Sequence, residues 1–100
     1  MYKIAYQEAA LHDLKEIVHY IAEASGEPAA AERLAEEIIQ AADSLQEMPY
    51  RCPLYLPLRP LQKEYRRLFV QRWYLYYWVD EEKKTVMISR VIHGRRRFSE

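Results

Sequence analysis

The chain has 100 residues, half of them apolar or aromatic and 30% charged, which is enough for one domain with a modest core over residues 1–100. This composition excludes disordered and collagen-like proteins, and a content of two glycines excludes a glycine-rich phosphate loop. The net charge is zero, but residues 1–50 carry three cations and ten acidic residues (net −7), whereas residues 51–100 carry twelve cations and five acidic residues (net +7). A basic half of this kind favours binding to nucleic acid or to an acidic partner.

The first half of the chain predicts a strand followed by a helical hairpin. Tyrosine and isoleucine alternate with smaller or charged residues over residues 2–6, as in a short strand. Apolar residues then recur at helical spacing over residues 8–24, and Gly26 is typical of a helix end. A second amphipathic helix is expected over residues 28–47, because it begins with a proline and another proline follows it.

The second half predicts three strands after a proline-rich loop. Four prolines in residues 49–62 exclude a central strand or helix, but the segment is too apolar for a flexible linker and should pack across the sheet or the helices. Aromatic and β-branched residues predict strands over residues 65–71, 73–79 and 85–92. The predicted order is β-α-α-β-β-β, an α+β fold with an antiparallel sheet covered on one face by the helical hairpin.

Cysteine and histidine content excludes several kinds of site. A single cysteine, Cys52, excludes an intrachain disulfide and suits a reducing cytoplasm. His12 and His19 are seven residues apart, roughly 10 Å along a helix, which is too far to share a metal. No signal peptide or membrane-length apolar run is present. We therefore predict a cytoplasmic protein with no metal, cofactor or membrane span.

The third predicted strand presents aromatic side chains on both faces of the sheet. Residues 73, 75, 77 and 79 are expected to face the core, which leaves Tyr74, Tyr76 and Trp78 on an open face. An open aromatic face flanked by arginines is typical of a single-strand nucleic-acid platform, and equally of a groove for a partner peptide, while plain packing would also explain it. The candidate target-binding residues are Arg66, Arg67, Arg72, Arg90, Arg95, Arg96 and Arg97.

A catalytic set is not complete in this sequence. A metal-independent ribonuclease needs a general base, a general acid and cations on the scissile phosphate. Candidate residues for such a site are Arg67, Tyr74, His93 and Arg95. Glu64 is the nearest candidate carboxylate, and nothing in the pattern directs it into a site. Each of these side chains also has a structural interpretation on or beside a strand.

Several spaced motifs resemble the RelE/ParE superfamily of bacterial toxins, and the second half resembles its ParE-like branch. The first helix, the start and end of the second helix, the strands and the basic C-terminal motif agree in order along nearly the whole chain. The segments that carry the resemblance are residues 9–22, Pro28 with residues 30–34, Leu45, Pro49 and Arg51, residues 65–70, the tyrosine-rich strand to Tyr77, and residues 90–96.

The resemblance implies the toxin of a type II toxin–antitoxin module, with growth arrest by the free toxin and plasmid stabilization. A cognate antitoxin would wrap the toxin with its C-terminal segment, giving a possible hetero-oligomer. RelE-like members cleave mRNA on the ribosome, usually with an arginine early in the third strand. Tyr74 stands at that position here, although Arg66 or Arg67 and Arg95 could match other phosphate-binding positions. ParE-like members inhibit DNA gyrase without a nuclease site.

The missing arginine and the basic C-terminal motif favour the ParE-like function, inhibition of DNA gyrase. The first alternative is a RelE-like mRNA endonuclease that acts on the ribosome. The second is a non-toxic relative that retains only antitoxin binding or oligomerisation.

Overall fold

Two helices form from the amphipathic segments of the first half, in a computed structural model that describes residues 1–57 and 59–98. Helix α1 (Glu8–Ser25) ends at Gly26, whose φ of 69° is a left-handed conformation that glycine adopts without steric cost. Helix α2 (Pro28–Asp43) is followed by a 3₁₀ turn (Ser44–Gln46), so the predicted second helix tightens over its last turn. Neither helix is both long and apolar enough to cross a membrane.

Four strands form one sheet in the order β1-β4-β3-β2. The strands are β1 (Lys3–Tyr6), β2 (Arg66–Val70), β3 (Trp73–Asp80) and β4 (Thr85–His93). The last three pair antiparallel through short turns, and the predicted α+β architecture is confirmed. The sheet is mixed, however, because β1 pairs parallel with β4. No hairpin joins these two strands, so no turn dictates an antiparallel direction for β1.

The face of the sheet under the helices forms the main core. The predicted core residues of β3 lie there: Leu75 and Tyr77 are fully buried, and Trp73 and Val79 pack against the same cluster. Apolar residues of both helices, the 3₁₀ turn and β4 complete it: Ala10, Ile17, Ile38, Ala42, Leu45, Val86, Ile88 and Val91. Burial of these side chains is the dominant favourable contribution to folding.

One irregularity in β4 shifts the alternation of its side chains. The pairing between β3 and β4 skips Ser89, which lies between the partners of Tyr76 and Tyr77. Such a bulge moves the following residues to the other face, and consequently Val91 rather than residue 90 follows Ile88 in the main core.

The opposite face of the sheet is covered, so the prediction that it is open is wrong. Tyr76 is only 1% exposed, and Tyr74 and Trp78 are half-buried. The C-terminal Phe98 and Tyr55 of the proline-rich loop lie on this face and close it. We call it the second face. Strand periodicity identified which side chains share the face, but not that two distant segments fold back over it.

The proline-rich loop packs across the sheet as predicted. Leu54 forms an isolated antiparallel bridge with Arg66, and the Tyr55 N–H donates to the Tyr65 carbonyl over 2.8 Å. The start of the loop is held from the main core, where the buried Tyr77 hydroxyl donates to the Pro49 carbonyl over 2.8 Å. Residue 58 of the predicted loop lies outside the described residues.

Candidate functional site

A cavity of about 560 Å³ opens where the ends of three strands meet, and we call it the strand-end cavity. The β2–β3 turn supplies Arg72, the start of β3 supplies Tyr74, and the end of β4 supplies His93. The full lining is Phe69, Arg72, Tyr74, His93, Gly94 and Arg95. Three of the four candidate catalytic residues are therefore brought together at one place.

Gly94 allows the C-terminal segment to approach the strands closely. Its N–H donates to the Arg72 carbonyl over 2.8 Å. A Cβ at this position would lie 3.4 Å from the Phe69 ring and 3.5 Å from the Tyr74 ring. The absence of a side chain therefore keeps the floor of the cavity uncrowded beside both rings.

His93 is oriented by the backbone that follows it. Its Nδ1 accepts the Arg95 N–H over 3.2 Å, and its carbonyl accepts the Arg96 N–H over 2.9 Å. The edge of its ring meets Trp73, with ring centres 5.2 Å apart. Because Nδ1 is an acceptor, the proton of the neutral ring lies on Nε2, which makes Nε2 a hydrogen-bond donor.

Arg67 lies beside the strand-end cavity and contacts its tyrosine. The guanidinium sits 4.2 Å from the Tyr74 ring centre and 5.0 Å from that of Tyr55. It also donates a long hydrogen bond of 3.4 Å to the Tyr76 hydroxyl. The fourth candidate catalytic residue is thus held against the second face by aromatic rings on both sides.

Arg66 is engaged in holding the proline-rich loop. Its guanidinium donates to the Cys52 carbonyl over 2.7 Å and to the Tyr50 carbonyl over 3.3 Å. These contacts give Arg66 a structural role, and its target binding stays a prediction.

Arg90 forms a two-pronged ion pair with Asp13 of α1, with N···O distances of 2.7 and 3.0 Å. The hydrogen bond to this carboxylate raises the pKa of Arg90. The same carboxylate accepts the Val91 N–H over 2.9 Å, just beyond the last β1–β4 backbone bond, from Gln7 to Ile88. Asp13 therefore replaces the strand partner that β4 loses where β1 ends, and target binding by Arg90 stays a prediction.

The other four candidate arginines form an exposed cationic rim. Within residues 1–57 and 59–98, their side chains make no ion pair. This cationic rim consists of Arg72, Arg95, Arg96 and Arg97. Guanidinium groups next to exposed aromatic surface are suited to binding phosphate groups or carboxylates.

The residues described at the cavity do not include a carboxylate. Glu64 is exposed and is not among the lining residues, and Tyr74 and His93 are the groups there that could move a proton. No group of three potential metal ligands occurs in the described part of the chain. The cavity is therefore equipped to bind an anion, with limited means for acid–base chemistry.

Two aromatic residues of this region were missed by sequence reasoning. Phe69 is 55% exposed and lines the cavity, and Phe98 is 5% exposed and covers the second face. Phe69 alternates with Arg67 in β2, a pattern that places both on one face. A lone aromatic residue directly after three arginines was the available signal for Phe98.

Comparison with known proteins agrees with this geometry. The family model described as the ParE toxin of the type II toxin–antitoxin system parDE matches residues 4–98. No curated protein matches the chain. Among solved structures, a chromosomal ParDE system from P. aeruginosa is 18% identical, covers 93% of this chain and 96% of its own, and has a TM-score of 0.74.

RelE-type structures are similar as well. The RelBE2 complex of Mycobacterium tuberculosis is 24% identical, with coverage of 92% and 96% and a TM-score of 0.65. The isolated E. coli RelE toxin is 18% identical, with coverage of 97% and 88% and a TM-score of 0.60. These likenesses show the fold, and the family-model match shows the family. The chain belongs to the ParE toxin family of type II toxin–antitoxin systems, within the RelE/ParE superfamily.

Proposed function

We propose that this toxin inhibits DNA gyrase and is neutralised by a cognate antitoxin. The observation that carries the proposal is the match to the ParE toxin model over residues 4–98. Tyr74 supports it, because it stands where RelE-like toxins usually carry a catalytic arginine. The carboxylate-free lining of the strand-end cavity also favours binding over catalysis.

The cationic rim is the surface proposed to contact the gyrase–DNA complex. Its guanidinium groups are exposed and unpaired within the described residues, so target phosphates or carboxylates could reach them without breaking an internal ion pair. Arginine is well suited to this role because it presents several donors in a fixed plane.

The antitoxin is proposed to compete for the same rim. Two of the similar structures are titled as toxin–antitoxin complexes or systems, and a partner of this kind would form a hetero-oligomer with the chain. Acidic side chains of the antitoxin would pair with the arginines, and apolar side chains would fill grooves beside the helices. Both partners and gyrase would meet in the cytoplasm.

A second candidate function is ribosome-dependent cleavage of mRNA. The observation that favours it is the strand-end cavity, where Tyr74, His93 and Arg95 lie together. Arginines would hold the phosphate, and the tyrosine or histidine would transfer the proton.

The first experiment is expression of the chain alone in bacteria, followed by a supercoiling assay with purified gyrase. We expect growth arrest, relief by the antitoxin encoded next to it, and loss of supercoiling or accumulation of cleaved DNA. Growth arrest with intact gyrase activity and cut ribosomal mRNA would establish the endonuclease instead. Good soluble expression without arrest would identify a non-toxic, antitoxin-binding relative.

Charge removal tests the cationic rim directly. Replacing Arg95, Arg96 and Arg97 together with alanine should raise the half-inhibitory concentration about tenfold or more, because each lost rim contact weakens target binding. The matched control removes three exposed cations of the helical half, Lys3, Lys15 and Arg33. Equal loss of inhibition in both triple variants would mean that total charge matters and the rim does not.

A further inference from the structure

The C-terminal segment that carries the rim arginines is fastened at its start. Gly94 donates to the carbonyl of Arg72 over 2.8 Å, and Arg96 donates to the carbonyl of His93 over 2.9 Å. The Arg95 N–H is taken up by the His93 ring. A turn therefore directs the chain back over the second face immediately after β4.

The same segment is fastened at its far end by the ring of Phe98. This ring stacks on Tyr76 with ring centres 4.5 Å apart and planes 15° apart. It meets Tyr65 edge-on at 4.7 Å and Tyr55 at 6.1 Å. With 5% of its surface exposed, Phe98 is the most deeply inserted residue after the turn. Aromatic contacts of this kind add to the burial of apolar area.

We propose that Phe98 is a positioning residue that holds Arg95, Arg96 and Arg97 as a fixed cationic arm. The three arginines lie between two attachment points, the turn at His93 and the ring of Phe98, while their side chains stay exposed. The inference rests on the proposed function, since the arm matters for activity only if its arginines contact the target.

A fixed arm binds better than a free tail for an entropic reason. A flexible segment must lose conformational freedom when it binds, and that cost is subtracted from the affinity. Because Phe98 already restricts the backbone of residues 94–98, most of this loss occurs during folding. Removal of the ring should therefore weaken target binding without changing any charge.

Limited proteolysis tests the anchoring independently of the function. Trypsin cleaves after arginine and requires a locally unfolded segment, so cleavage after Arg95, Arg96 or Arg97 reports release of the arm. In Phe98→Ala, the rate of these cleavages, followed by mass spectrometry, should rise about tenfold or more relative to the wild type. Cleavage at Lys83 in the β3–β4 turn serves as the reference within each digest and should not change.

Two further variants separate release of the arm from general destabilisation. Val86→Ala removes volume from the main core on the other face of the sheet and should leave cleavage of the arm low under native conditions. Phe98→Leu keeps an apolar anchor of similar volume and should restore most of the protection. Equal cleavage of the arm in Phe98→Ala and the wild type would overturn the proposal, as would equal acceleration by Val86→Ala.

The functional consequence is measured with the gyrase supercoiling assay. Phe98→Ala should inhibit several-fold more weakly than the wild type, and Phe98→Leu should lie close to the wild type. A released arm with undiminished inhibition would refute the positioning role. A wild type that does not inhibit gyrase, but whose arm is protected by Phe98, would refute the proposed target and leave the anchoring supported.

Discussion

The two faces of the sheet are built from different materials. The face under the helices is closed by regular secondary structure and by aliphatic side chains that interlock with Leu75 and Tyr77. The second face is closed by irregular chain, the proline-rich loop and the C-terminal arm, through a cluster of aromatic rings around Tyr76. A helical hairpin can be moved only by disrupting the main core, whereas a loop and an arm can be displaced locally. The comparison assigns stability to the first face and recognition to the rim of the second.

Charge follows the same division. The acidic residues of the first half lie mainly on the solvent side of the helices, such as the exposed Glu32 and Glu36 of α2. The unpaired arginines lie at the edge of the second face, around the strand-end cavity. The zero net charge of the chain therefore hides two oppositely charged surfaces on opposite sides of one sheet, which is suited to a partner that recognises one side only.

The largest expected effect comes from the main core. Leu75→Ala should lower the free energy of unfolding by about 2–5 kcal/mol, because it removes a fully buried side chain and leaves a cavity under the helices. Chemical denaturation followed by circular dichroism measures the change.

The matched substitution on the second face is Phe69→Ala, which removes a larger but 55% exposed ring. Its cost should be about 0.5 kcal/mol, since surface substitutions away from special features rarely cost more. If the two substitutions destabilise the protein equally, the assignment of stability to the helix-covered face is wrong.

A smaller effect is expected where α1 meets the end of β4. Asp13→Ala should cost about 1–3 kcal/mol, because it removes the partner of a half-buried arginine and of the Val91 N–H. In a double-mutant cycle with Arg90→Ala, the coupling energy should be about 1 kcal/mol. Arg90→Ala should reduce stability more than gyrase inhibition, in contrast to the rim arginines. The opposite result would move Arg90 from the stable face to the recognition surface.

Much of this fold followed from sequence periodicity. The change from period two to helical spacing after Tyr6 and the position of Gly26 placed the first strand and helix, and the aromatic run placed β3 with its two faces. The direction of β1 could not be predicted, because alternation indicates a strand but not which strand it pairs with. The extra residue Ser89 also escaped prediction, since it fits the apolar pattern of β4 and is exposed only by the register of its neighbour.

Less of the candidate site was accessible from sequence. Residue types identified Tyr74, His93 and Arg95, and the structure brings these together. Seven arginines were indistinguishable by spacing, however, and only three-dimensional contacts separate Arg66 and Arg90, which hold structural partners, from the four in the rim. The cover of the second face depends on contacts between residues far apart in the chain, such as Tyr55 with Tyr76.

The smallest expected effect concerns the point where the cover of the second face begins. Glu81, in the β3–β4 turn, forms an ion pair with Lys84 and accepts the hydroxyl protons of Tyr50 and Tyr2. Hydrogen bonds from Lys84, Tyr50 and Tyr2 lower the pKa of Glu81 from 4.5 to about 2, and the bond to Glu81 raises the pKa of Tyr50 to about 12. The first residues of the loop are therefore tied to the turn by an ionised carboxylate.

The sign of the pH dependence follows from the lowered pKa. Stabilisation by Glu81 is fully present above the unfolded-state pKa of about 4.5 and is lost as the pH falls toward about 2. Glu81→Gln should therefore lower the Tm slightly at pH 7, and the difference from the wild type should shrink progressively between pH 4.5 and pH 2. The exposed position keeps the effect small, because solvent screens the charges. A Tm difference that stays constant over this range would show that neutral hydrogen bonding, and not the carboxylate charge, fastens the start of the loop to the turn.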